Sequence, residues 1–241
     1  IKLFFIYGIV IGLLCGYFIF RQNSFEQLPA PIEPKGNICL IIDDFGNSEN
    51  DLHRDFLTLS NDITISIIPG LSYSEDIAHM AYKYGFEIMV HMPMEAYNWD
   101  DNNLDKYILT TNLNYKQVYS KLENAFIEIP NALGINNHQG SKATEDVQLM
   151  KNVARSLKSM DKYFIDSYTS EISKAFITMR QNGVKTEVRQ IFLDNIEHPD
   201  SIRDNLDKLI KLSHSMDVAI GIGHVKQVTL DLLKMAEHMH L

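Results

Sequence analysis

Residues 38–46 read ICLIIDDFG: five apolar positions, two adjacent aspartates, then an aromatic and a glycine. The run is too short for a helix and does not alternate. It therefore predicts a strand buried on both faces, of the kind found in parallel sheets. Such a strand ending on two carboxylates is unusual, because each charge needs compensation at a buried strand end. Outward from this stretch the same pattern recurs. Apolar runs at 38–42, 63–68, 86–90, 133–135, 163–165, 184–188 (extending towards 193) and 218–222 are each followed by an amphipathic stretch, near 49–59, 73–84, 114–128, 145–160, 170–181, 200–215 and 226–239. Thr144 resembles an N-cap, and Pro199 suits a first helical turn. Seven alternations of strand and helix predict a parallel sheet with helices outside it. The expected fold is α/β, a single domain in which a closed or nearly closed barrel fits best. A doubly wound open sheet is the structural alternative.

In such barrels functional groups collect where strands exit into loops. Here the exits are polar: Asp43-Asp44, His91-Met-Pro-Met-Glu95, Asn136-Asn137-His138-Gln139-Gly140, Asp166-Ser167, Asp194-Asn195 and Gly223-His224. A sharp turn at Gly46 would aim both aspartates inward, where a cation on one leaves the other ionised as a base. Pro93 keeps His91 and Glu95 from forming a helical zinc motif. His138 sits in a polar segment suited to close ligand approach. Two imidazoles and a carboxylate suit a catalytic Zn2+ with open positions, although other divalent metals tolerate the same donors. His224, after Gly221 and Gly223 have cleared space around the backbone, is a candidate general acid. Asp166 and Asp194 either orient the histidines or cap loops. His53, His79, His198, His214, His238 and His240 fall on helices or their edges, most facing solvent. Tyr97 and Trp99 are placed either to stack on sugar rings or to pack down their loop.

Composition narrows the function. The chain has 241 residues, 45% hydrophobic and 22% charged, with a formal charge of −9 and no basic run, which argues against nucleic acid as a partner. Cys15 and Cys39 are the only cysteines, so neither a disulfide nor a thiolate site is expected. No dinucleotide fingerprint, P-loop or serine nucleophile elbow is present. Residues 3–20 form an uncharged apolar run of eighteen between Lys2 and Arg21, about the minimum for a bilayer span. The expected organisation is therefore a hydrophobic transmembrane or signal anchor at 1–21, a proline-containing linker at 22–36 and the barrel domain at 37–241. A cleaved signal peptide is the rival, but the run is long for one and no small-x-small site follows.

The ordered strings IIDDFG, HMPME, NNHQGS, FIDS, FLDN and GIGH resemble the divergent polysaccharide deacetylase family, a branch of the polysaccharide deacetylase superfamily, over about residues 37–238. The resemblance implies an α/β, deformed seven-stranded (β/α) barrel and a metal held by Asp44, His91 and His138, with Asp43 as general base and His224 as general acid. Typical superfamily members draw both histidine ligands from one His-x-x-x-His stretch, whereas here that spacing gives His91 and Glu95. Either His138 supplies the second imidazole, or Glu95 replaces it as the alternative ligand.

The expectation is a metal-dependent hydrolase removing acetyl groups from an N-acetylated glycan, membrane-anchored in the cell envelope with its domain on the periplasmic or extracytoplasmic side. The alternative is a non-catalytic envelope protein that keeps the barrel, and even the metal, to bind glycan or a protein partner. A third reading is a metal-dependent hydrolase of another amide or ester.

Overall fold

A computed structural model describes residues 36–98 and 106–238. The anchor expected at 1–21, nearly all of the linker at 22–36 and Trp99 lie outside the described residues. Among the described residues, no helix is long and apolar enough to cross a membrane. Eight strands and seven helices follow one another as β1 (Ile38–Phe45), α1 (Asp51–Phe56), β2 (Thr64–Ile67), α2 (Ser74–Lys83), β3 (Glu87–Met94), α3 (Tyr115–Glu128), β4 (Gly134–Gln139), α4 (Val147–Ser159), β5 (Tyr163–Asp166), α5 (Ala175–Gln181), β6 (Thr186–Val188), β7 (Ile191–Phe192), α6 (Pro199–Ser213), β8 (Ala219–His224) and α7 (Gln227–His238).

All eight strands are parallel, in the order β6-β5-β4-β3-β2-β1-β8-β7. The sequence predicts seven; the difference lies in the sixth run. Its first half pairs with β5 and its second half with β8. The switch falls between adjacent residues: Arg189 N still donates to Asp166 O at 2.9 Å, while Gln190 N donates to Ile220 O at 2.9 Å. β6 and β7 are thus opposite edges of the sheet joined by a link of about 11 Å at most. The edges must lie side by side, so the sheet curls into a half-barrel that stays unsealed at this seam. The Gln190 side chain accepts from Ile220 N there, at 2.6 Å.

Alternation along the strands sorts the core. Ile42, Ile65, Val90, Ile135 and Phe164 face outward and pack with the helices in one large buried cluster. Ile41, Met89, Ile220 and Ile222 face inward, with Tyr163, Ile165 and Phe192 against them, and form the floor beneath the inner polar groups. Capping sets the helix starts. Asn114 and Gln117 form a reciprocal capping box on α3, and Pro199 sits in the first turn of α6 as expected. The start of α4 differs from expectation: Asp146 is its N-cap, accepting from Leu149 N at 2.7 Å, while Thr144 donates to Gly140 O at 2.8 Å.

Candidate metal centre

The polar strand ends belong to the strands rather than to loops. β1 runs through Phe45, β3 through Met94 and β4 through Gln139. Asp43, His91, Asn136 and His138 therefore occupy inward-facing strand positions above the apolar floor. Asp44 would point outward by simple alternation. Instead, β1 carries an irregularity between Ile42 and Phe45, three steps against two on β2, and Asp44 itself has φ 69°. A bulge with a left-handed aspartate, a residue that tolerates this region, turns its carboxylate inward. The turn thus begins at Asp44, two residues before the expected Gly46, which continues it at φ 114°.

One carboxylate oxygen and two imidazole nitrogens converge. Oδ1 of Asp44 stands 3.3 Å from Nε2 of His91 and 3.2 Å from Nδ1 of His138. The ligand atoms of the three residues all lie within 4.8 Å of one another. Tetrahedral zinc with bonds of roughly 2.0–2.1 Å holds its donors roughly 3.3 Å apart, close to two of the observed spacings. Oδ1 of Asp44 is also buried and has no partner beyond these two imidazole nitrogens, a position that a cation shared by the three atoms would satisfy. The donor set therefore fits a divalent cation.

The electrostatics agree. Burial pulls the His91 imidazole down, but Asp43 and Asp44 outweigh it and push it up to about 9. Burial raises the Asp44 carboxyl, yet His138 and His91 hold it well below the usual carboxylate range. Both shifts record one demand: two adjacent carboxylates require positive charge between them, which a bound cation meets while the imidazoles stay neutral. Asp43, 1% exposed and 3.6 Å from His91 Nε2, is pushed up by burial, with His91 opposing.

His224 pairs in register with Asp43 across β1 and β8, so the two side chains rise from the same face. Its Nδ1 lies 2.6 Å from Oδ1 of Asp194, whose Oδ2 accepts from His224 N and from Thr229 Oγ1, each at 2.7 Å. Its ring stacks on Phe192 at 5.7 Å. Burial lowers His224, but fully buried Asp194 outweighs it and holds the imidazole above its ordinary value. The space around Gly221 and Gly223 is not left for a ligand. A Cβ on Gly221 would meet Leu209 at 2.5 Å, and one on Gly223 would meet Thr229 at 3.2 Å. Gly221 admits helix α6, and Gly223 admits Thr229 of α7, which in turn holds Asp194.

Glu95 and Asp166 stand apart from the three converging donors. Glu95 accepts from Thr111 N and Oγ1 at 2.8 and 2.9 Å and from Lys142 Nζ at 2.6 Å, joining the segments after β3 and β4. Asp166 accepts from Tyr168 N at 2.9 Å and from Ser173 Oγ at 2.7 Å, capping the segment after β5. Of the two aspartates expected to orient a histidine or cap a loop, Asp194 does the first and Asp166 the second. Tyr97 is exposed and donates to Glu145 Oε2 at 2.7 Å. His53 departs from the solvent-facing majority: it is buried edge-on against Phe45, its Nδ1 2.8 Å from Asn50 Oδ1. Sequence reasoning passed over Asn136, Thr229 and Phe192. Asn136 had a signal, since it lies two residues before His138 on one strand and so shares its face.

Fold and site together define an α/β half-barrel with an Asp–His–His cluster at the C-terminal ends of its strands. The chain belongs to the divergent polysaccharide deacetylase family, which it matches over residues 40–238. It is 30% identical over 224 residues to the uncharacterized protein YibQ of Escherichia coli K12, covering 90% of this chain and 68% of that protein. An uncharacterized Haemophilus influenzae protein is 29% identical, covering 83% of this chain and 70% of its own length. Among solved structures, the uncharacterized protein ATU2773 of Agrobacterium tumefaciens C58 shares the fold with a TM-score of 0.79 at 17% identity, covering 88% of this chain and 86% of that one.

Proposed function

We propose that this protein is a metal-dependent deacetylase of an N-acetylated glycan, tethered to the cell envelope through residues 3–20 with the half-barrel on the extracytoplasmic side. The observation that carries the proposal is the convergence of the buried Oδ1 of Asp44 with one nitrogen each of His91 and His138, with Asp43 beside it. Membership of the family supports the glycan and the acetyl group. Asp44, His91 and His138 would hold the cation. When bound, a divalent ion such as Zn2+ supplies Lewis acidity for the acetamide carbonyl and acidifies a water molecule.

The chain's own groups do the rest. Asp43, whose basicity burial enhances, takes the proton of the attacking water. His224, kept protonated by Asp194, gives a proton to the departing amine as the C–N bond breaks, so acetate and a free amino sugar leave. The inner face of Ile41, Met89 and Ile222 closes the site from below.

A single general base typically contributes about 10²–10⁴-fold. Asp43→Asn should therefore keep its Zn2+ and lose at least about a hundredfold in turnover of an acetylated chito-oligosaccharide or peptidoglycan fragment. Full turnover in that variant contradicts the assigned base. Glycan binding without turnover in the wild type would instead favour a non-catalytic envelope protein, and turnover of simple acetyl esters alone a hydrolase of a different bond.

A further inference from the structure

We infer that Asn136 is a positioning residue that assigns different tasks to the two adjacent aspartates, keeping Asp43 off the cation while fixing the ring of His91 so that it can bind one. The inference rests on the cation site proposed above. Asn136 is fully buried on β4, and both ends of its side-chain amide are engaged. Its Nδ2 lies 2.8 Å from Oδ1 and 3.0 Å from Oδ2 of Asp43. Its Oδ1 accepts from Ser66 Oγ at 2.7 Å and lies 2.8 Å from His91 Nδ1.

The direction of the amide follows from its neighbours. A carboxylate only accepts, so the amide nitrogen must face Asp43 and the carbonyl must face Ser66 and His91. A carbonyl cannot donate, so the hydrogen in the contact with His91 belongs to Nδ1. In the neutral ring that leaves the lone pair on Nε2, the atom directed at Asp44. One amide thus sets the tautomer that a ligand needs, as outer hydrogen bonds commonly do for metal-binding histidines.

The same amide separates the aspartates. Both oxygens of Asp43 are tied to one nitrogen, which holds that carboxylate back, whereas Oδ1 of Asp44 is left to the two imidazoles. Adjacent residues of one type thereby become one ligand and one proton acceptor. Substitutions separate the two tasks. Asn136→Asp still accepts from Ser66 and His91 but faces Asp43 with like charge. Asn136→Leu can do neither.

The test compares full-length wild type, Asn136→Asp and Asn136→Leu, with Zn2+ affinity from chelator competition and kcat and KM on an acetylated chito-oligosaccharide. Asn136→Asp should keep Zn2+ affinity close to wild type while kcat falls at least about a hundredfold with little change in KM. Asn136→Leu should lose about 10–100-fold in Zn2+ affinity as well as turnover. Parallel loss of both properties in both variants, or wild-type behaviour in Asn136→Asp, overturns the inference. A measurement on the wild type keeps it testable if a variant does not fold. ¹⁵N spectra of the imidazoles in the Zn2+-loaded protein, with His91 assigned by His91→Gln, should show the hydrogen on Nδ1 alone; a ring with Nδ1 bare, or with hydrogen on both nitrogens, overturns it. Wild type that binds no Zn2+ overturns the cation site and this inference with it, an outcome distinct from failure in the variants alone.

Discussion

The acid role proposed for His224 rests on a buried carboxylate 2.6 Å from its Nδ1. Its pKa is raised in the folded protein, by Asp194 against the opposing effect of burial. The sign follows. The imidazolium persists above the ordinary histidine value, so His224, as the proposed general acid, stays charged further into the alkaline range. The stability gained from the pair is fully present below the unfolded value of about 6.5 and is lost as pH rises through the folded one. Asp194→Asn should draw the alkaline limb of the kcat/KM profile to lower pH. It should also cost about 1.5–3 kcal/mol in denaturant unfolding at pH 6, with a smaller loss at high pH. An unmoved alkaline limb would mean that His224 is not the titrating acid. The same residue scale shows what a motif can convey. Asp43, Asp44, His91, His138 and His224 stand out as charged or imidazole groups on apolar runs, whereas Asn136 and Thr229 are ordinary residue types whose importance lies in partners 93 and 35 positions away.

At the scale of elements, the seven apolar runs and seven helical stretches were legible because a parallel sheet covered by helices needs strands buried on both faces. Strand lengths were not. β3 and β4 continue four residues past their apolar runs, since their upper inward positions carry His91, Asn136 and His138 instead of aliphatic side chains. Hydrophobic patterning stops where a barrel interior turns polar, and that is where a site begins. The role of Gly221 was hidden too, because it depends on the approach of another element. Gly221→Val would force a branched side chain onto Leu209, with its first atom already at 2.5 Å. It should destabilise the domain by about 1–3 kcal/mol, read in thermal or urea unfolding, while Zn2+ affinity stays near wild type. Unchanged stability would show that α6 is not held against β8 as closely as described.

At the scale of the molecule, a parallel sheet covered by helices was legible in the repeat, but how far it curls and where its seam falls were not. Whether the run from 184 to 193 makes one strand or two short edges depends on which neighbours its two halves meet, and periodicity carries no information about neighbours. The curling that joins those edges brings β1, β3, β4 and β8 round a single mouth, where four segments distant in sequence contribute to one site. Metal analysis decides whether this mouth holds a divalent cation on Asp44, His91 and His138, as proposed. The full chain and His138→Ala would each be loaded with Zn2+, dialysed against a weak chelator and assayed for bound ion. Wild type should retain Zn2+ stoichiometrically and His138→Ala should lose it; a wild type that emerges empty, or a variant that retains as much, contradicts the account.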